Sequence, residues 1–377
     1  MRVCLILFYF VTTTIVYFVS MQMGERGISI PLFEGGDDGY FYWMEANNVA
    51  QGLPWSHTSI YAGIVGNLML YSGIYSPYVF RLFNILGFIL LVYYSLDLVN
   101  LQYKGRLGLS QNQYSAKVIL LSCFLCYLSL IMMVNLSIYR DIWIYALFAA
   151  SVSYCIKIYR KRAIHNILLL VLSLFMLYGF RRYAALAVII SIVSYGCYSF
   201  LKKRGNPLIT LGLVGILFCV YYTFFIDFRV PIVNLTAKNA LQYRESVMIG
   251  GSQMGISLNQ PNVFLFIIYY IYSFAGNLIG PLPWHIRGWS TLVVFFAETI
   301  PMLYILYSIY RDRKLISNVQ KYLLVNAFVW MMMISLINDN VGAGTRLRLP
   351  AWIMLIIVFS TLKTQRLCKY SKLLQLC

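Results

Sequence analysis

Acidic side chains are scarce in this chain: 12 Asp and Glu among 377 residues, against 30 Lys and Arg. Charged residues of both signs make up 11% of it, less than half of the roughly 25% found in soluble domains. That shortage excludes a long soluble domain. There are only three histidines; His57 and His165 fall on opposite sides by charge pattern, so no metal set can be assembled from them. The eight cysteines lie mostly inside apolar runs, with the last two in a basic tail, so no disulfide framework is expected. Cys123 and Cys126 form a CxxC pair without a second ligand pair and read as two small buried thiols. Internal repeats, low-complexity tracts and flexible linkers are also missing, so residues 1–377 read as one integral membrane domain.

Apolar surface is abundant instead. The chain is 60% hydrophobic and 17% aromatic, with a mean hydropathy of +0.73. Many apolar runs approach or exceed the ~17 residues that cross a bilayer. The expected class is an all-α polytopic membrane protein. The net charge of +18 does not point to nucleic acid, because the basic residues cluster between apolar runs, at 104–117, 157–162, 202–204, 311–314 and 363–372. That is the positive-inside pattern. The acids Glu25, Glu34, Asp37, Asp38, Glu45, Asp141, Asp227, Glu245 and Asp339 fall in the intervening loops. Both termini are thus expected in the cytoplasm, with the acidic loops exported. The apolar run after Arg2 reads as an uncleaved first span, since no small-residue cleavage site follows it. Ten crossings satisfy every charge cluster: 4–20, 79–99, 118–134, 142–158, 166–180, 183–200, 207–226, 289–310, 319–337 and 349–362. Two further apolar stretches, 59–75 and 262–280, cannot cross once without breaking the charge rule. They are expected to be interfacial or re-entrant helices, within large exported loops at 21–78 and 227–288.

Asp37 and Asp38 sit in Glu34-Gly-Gly-Asp-Asp-Gly39, directly followed by Tyr40, Phe41, Tyr42 and Trp43. Adjacent carboxylates in a glycine frame are candidates for a general base, a metal site or a solvated acidic loop. Tyr40, Tyr42 and Trp43 fit either sugar stacking or a headgroup belt. Arg140, the Arg181-Arg182 pair, and Arg346 with Arg348 all fall on the side that the charge rule should leave poor in arginine. Guanidinium forks match phosphate oxygens, so these five are candidate diphosphate ligands; the plainer alternatives are an Arg140–Asp141 pair and arginines snorkelling to headgroups. The glycine- and amide-rich Asn338–Thr345 stretch is a candidate anion cradle. Trp284, His285 and Arg287 end a rigid Gly280-Pro-Leu-Pro turn, an interfacial anchor or a lining of the same cavity. Arg244 beside Glu245 reads as an exposed ion pair or a substrate contact. Glu298, an acid within a span, fits a proton relay or a pairing with an exported arginine.

The chain resembles the C-type membrane glycosyltransferase superfamily (GT-C) at its start. The shared features are the acidic pair with its aromatic, Asp37-Asp38-Gly39-Tyr40; an interfacial helix from Ile60 to Tyr75; and a second span opening with Tyr78-Val-Phe-Arg-Leu82. Its later phrases, Tyr139-Arg140-Asp141, Gly280-Pro-Leu-Pro-Trp284 and Asn340 to Arg348, resemble bacterial polymerases of O-antigen and capsule repeat units. The resemblance implies a GT-C-like fold in the bacterial inner membrane, with its site on the periplasmic face. The implied reaction moves a glycan from polyprenyl diphosphate onto a hydroxyl of a second lipid-linked glycan, Asp37 or Asp38 acting as base. No cofactor is implied, and a divalent metal stays open. Implied partners are the polyprenyl-diphosphate-linked oligosaccharide, membrane lipid, and a chain-length regulator and flippase of the same pathway. Two alternatives remain: a GT-C transferase moving a single sugar from polyprenyl phosphate, and a polysaccharide transporter or flippase.

Overall fold

The computed structural model describes residues 1–30, 38–103, 110–204, 227, 236–246, 252–260 and 262–374. Among these, the regular structure is helical, with two isolated bridges, Ser29 to Ser137 and Gln253 to Asn340. Six helices are long and apolar enough to cross a membrane: Arg2–Gln22, Pro77–Tyr103, Asp141–Arg160, Arg182–Ser199, Trp289–Arg311 and Asn318–Ile337. Two bent pairs raise the number to eight. Gln111–Cys126 and Leu128–Asn135 meet at 64°, and Val341–Leu347 and Leu349–Leu367 meet at 53°. Six to eight crossings therefore stand where ten are expected. Of the remaining two, Ile164–Phe180 is apolar but has 17 residues, and 207–226 lies outside the described residues.

The two apolar stretches expected not to cross form short helices. Ile60–Ser72 has 13 residues, or ~20 Å at 1.5 Å per residue, against a hydrocarbon core of ~30 Å. Ser59 caps it by accepting from the Tyr61 N–H, and Gly73, with φ of +67°, ends it in the left-handed conformation that favours glycine. Val263–Ile279 is capped by Asn262 in the same way. The Ile60–Ser72 helix packs tightly on the Asp38–Ala50 helix. A Cβ at Gly66 would lie 2.6 Å from the Ala46 carbonyl oxygen, so only glycine permits the approach.

Asp141–Arg160 runs through the centre, against Pro77–Tyr103 on one side and Ile164–Phe180 on the other. Ala146, Ala149, Ala150 and Ser153 are all buried on it, and small side chains allow close helix packing where lipid supplies no hydrophobic drive. Arg81, fully buried, donates to the carbonyls of Gly27 (2.9 Å), Ile28 (3.0 Å) and Asn135 (2.6 Å). It thereby ties the end of the first helix and the 135–140 loop to the second crossing.

Candidate functional site

Four chain segments meet at one end of the bundle. Asp38 opens the Asp38–Ala50 helix. Arg140 and Asp141 stand at the start of the central helix. Arg181 fills the one-residue turn between Ile164–Phe180 and the helix opening at Arg182. Arg346 lies on the short helix Val341–Leu347. Arg346 donates to Asp38 at 2.6 Å, and Arg181 pairs with Asp141 at 3.2 Å. The Arg181, Arg346 and Arg140 guanidiniums all act on the buried Asp141 carboxylate. Arg140 lies over the Tyr42 ring at 5.5 Å, Arg346 over Tyr139 at 5.6 Å and Arg181 over Tyr183 at 5.3 Å. Three guanidiniums thus face two carboxylates among the described residues. The Arg140 Nε is buried and lacks a hydrogen-bond partner among the described residues.

Buried polar contacts hold these segments in place. The Asn84 amide donates to the Tyr139 carbonyl at 2.8 Å, and Tyr61 donates to Asn84 Oδ1 and to the Ile138 carbonyl. Tyr145 donates to the Arg346 carbonyl at 2.8 Å, and Trp330 to that of Leu347 at 2.7 Å. Burial pushes the Tyr42 hydroxyl up to about 12, with Arg140 pulling the other way. Tyr42 therefore stays protonated and keeps a donor beside the arginines.

Several expected site residues stand elsewhere. Asp37 lies outside the described residues. Arg182 is exposed and sits over Tyr178. Arg348 is buried away from the cluster, donating to Glu298 Oε2 at 2.6 Å and to the Gly280 carbonyl, with Trp352 under its guanidinium at 4.0 Å. Glu298 is closed off in the same stroke, its other oxygen accepting from the Ser129 N–H; that leaves it no exposed path for a relay. The helix carrying Glu298 widens into a π-turn over Phe295–Thr299 just before Pro301, the kind of interruption expected beside a residue with no N–H to donate.

Arg244 is not an exposed pair with Glu245. It is fully buried and reaches Asp339 at 2.5 Å, together with Ser273 Oγ and the carbonyls of Ile256, Ser335 and Asn338. Glu245 instead accepts from Ser257. The Asn338–Thr345 stretch is not an open anion cradle either. Val341 donates to the Ser252 carbonyl, Gly344 to that of Asn340, and Ala343 to the Asn340 side chain. These three amides are spent at the start of a short helix.

The aromatic set divides. Tyr40 is exposed, Trp43 leans on Phe80, and Tyr42 is buried edge-on against Tyr61. Trp284 is exposed and donates to the Tyr272 hydroxyl, while His285 is buried with Nε2 at 2.8 Å from that hydroxyl and Nδ1 accepting from Leu282. Arg287 is exposed on the same turn. Asp141 enters the sequence reading only as the plainer alternative partner of Arg140, not as a site residue. Neighbours in sequence point apart on a helix, so its partner comes from another segment. No family model, curated protein or solved structure matches this chain.

Proposed function

We propose that this chain is a membrane glycosyltransferase that polymerises lipid-linked glycan repeat units of the O-antigen or capsule type at the exported face. One observation carries the reading: Arg140, Arg181 and Arg346, from three separate segments, converge on Asp141, Arg346 also reaching Asp38, and the Arg140 Nε is buried without a hydrogen-bond partner among the described residues. Three guanidiniums against two carboxylates leave an excess positive charge, which suits an anion with several oxygens, such as a diphosphate.

In this reading the acceptor hydroxyl attacks the anomeric carbon of the donor glycan. The bond from that carbon to the diphosphate oxygen breaks, and polyprenyl diphosphate leaves with the electron pair. The arginines neutralise the charge that builds on the leaving oxygen, in a site already organised for it. Asp38 takes the hydroxyl proton once the diphosphate has drawn Arg346 away from it. Glu298, sealed against Arg348, speaks against a transport pathway through it.

The test is polymer length in membranes supplied with polyprenyl-diphosphate-linked repeat units. Arg140→Ala and Arg346→Ala each lose long-chain product, with rate falling about 10²–10³-fold per cation removed, and Arg181→Lys, which keeps the charge but loses the guanidinium fork, loses it too, all at normal protein level. Unchanged chain length in any of them takes that residue out of the site. A single-sugar transferase would instead leave long chains of altered composition when the protein is removed.

A further inference from the structure

A second polar site lies at the opposite end of the bundle. The helices Pro77–Tyr103 and Asp141–Arg160 begin at the arginine cluster, and their far ends frame a cavity of about 650 Å³. That volume is in the range of small-molecule sites. Its wall carries three permanent cations, Lys157, Arg160 and Lys161, with His165 beside them and one carboxylate, Asp97. Asp97 is already engaged by Lys157 at 2.6 Å and by Ser153 at 2.6 Å. Arg160 spends one donor on the Leu101 carbonyl. Lys161 has no carboxylate within ion-pair distance among the described residues.

The telling residue is Asn166. It is 7% exposed and lines the cavity, yet its side-chain amide has no hydrogen-bond partner among the described residues. The amide opens onto the cavity and is left to bond what fills it. Beside the cavity, Tyr159, Ile164 and Leu168 turn apolar surface outward, as at the edge of a bilayer.

The geometry points to this cavity as a binding site for an anionic phosphate group, held by Lys161 and Arg160 and hydrogen-bonded by the Asn166 amide. The exposed apolar rim places the group within reach of a phospholipid headgroup, and a soluble phosphate offers the same chemistry. The inference is independent of the glycosyltransferase reading, because it uses none of that site's residues.

The experiment titrates the purified full-length chain in a neutral detergent with short-chain phosphatidylglycerol, phosphatidylcholine or inorganic phosphate, following the thermal midpoint. Three proteins are compared: wild type, Lys161→Gln and Asn166→Leu. The Arg346→Ala variant serves as a control for binding at the other end. Phosphatidylglycerol should stabilise wild type and Arg346→Ala alike, and Lys161→Gln should weaken its apparent affinity about fivefold, the attraction expected of one lysine near an anionic headgroup. A Lys161-dependent shift with phosphatidylglycerol alone assigns the site to lipid; one with inorganic phosphate assigns it to a soluble ligand. Stabilisation that is equal with phosphatidylcholine, or that Lys161→Gln leaves unchanged for both anions, overturns the inference. Lys161 is exposed on the rim, so its variant reports even where Asn166→Leu fails to fold.

Discussion

Burial separates arginines that hold the fold from those available to a ligand. The Arg346–Asp38 pair is 23% and 43% exposed, and such pairs contribute about 0–1 kcal/mol. Arg346→Ala should therefore leave the thermal midpoint nearly unchanged while abolishing long-chain product. Arg244 with Asp339 is 0% and 1% exposed. Breaking a buried pair by removing one partner costs about 3–5 kcal/mol, a large share of the ~5–15 kcal/mol that holds a protein folded. Arg244→Ala should deplete the protein from membranes; normal levels with lost activity would return Arg244 to the substrate site. The same contrast sharpens the test of the base. Asp38→Asn keeps a hydrogen-bond acceptor for Arg346 but cannot take a proton, so product formation should fall with stability intact. Retained activity there eliminates Asp38 as the base.

At the scale of the element, polar contacts fix the turn at Pro283–His285. Trp284 and His285 both bond the Tyr272 hydroxyl on the Val263–Ile279 helix, and Nδ1 of His285 accepts from the Leu282 N–H. Protonating Nδ1 would set two donors against each other. Burial lowers the His285 pKa from its ordinary value, and Arg287 lowers it further. The folded-state value is thus below the unfolded one, near 6.5. The stability this provides is complete above that pH and lost as pH falls through the folded value. The thermal midpoint in detergent should drop on acidification from pH 7 towards pH 5. His285→Gln should flatten that dependence, and a profile unchanged by the substitution would show that the turn does not titrate. Sequence reasoning placed Trp284 and His285 on one turn. Tyr272, the hydroxyl that ties both down, lay 12 residues from Trp284 and carried no local signal.

For the whole molecule, the short helices decide the topology near the candidate site. Ile60–Ser72 is too short to cross, so the loops at its two ends belong on one face. With the eight native cysteines replaced, Gln51→Cys and Tyr75→Cys should both be labelled by an impermeant thiol reagent from the same side. Labelling from opposite sides would make this stretch a crossing and break the single-face arrangement of Asp38 with the arginines. The helices themselves were legible early, because hydropathy and charge clusters follow from the solvent each stretch must face. The bends at Tyr127 and Arg348 were not. Tyr127 falls inside the apolar run 118–134, where side-chain composition does not change, and the expected crossing from 349 carried no sign of the short helix Val341–Leu347 bent against it; packing holds both bends, with Ser129 donating to Glu298, Arg348 to the Gly280 carbonyl, and Tyr127 stacked on Trp352.

By itself the sequence determined the environment and the class: too few charges for water, apolar runs of membrane length, and cations segregated from acids. It also marked three arginine-bearing loops, since charge at a membrane edge is costly wherever it occurs. Which arginine met which partner was decided only by the tertiary structure. Arg140, Arg181 and Arg346 converge, whereas Arg348 and Arg244 are buried against Glu298 and Asp339, 50 and 95 residues distant. The reason is physical. A guanidinium can bond any well-placed carboxylate, phosphate or carbonyl oxygen, so its role depends on which oxygens the packed helices bring within about 3 Å, and no local pattern carries that distance.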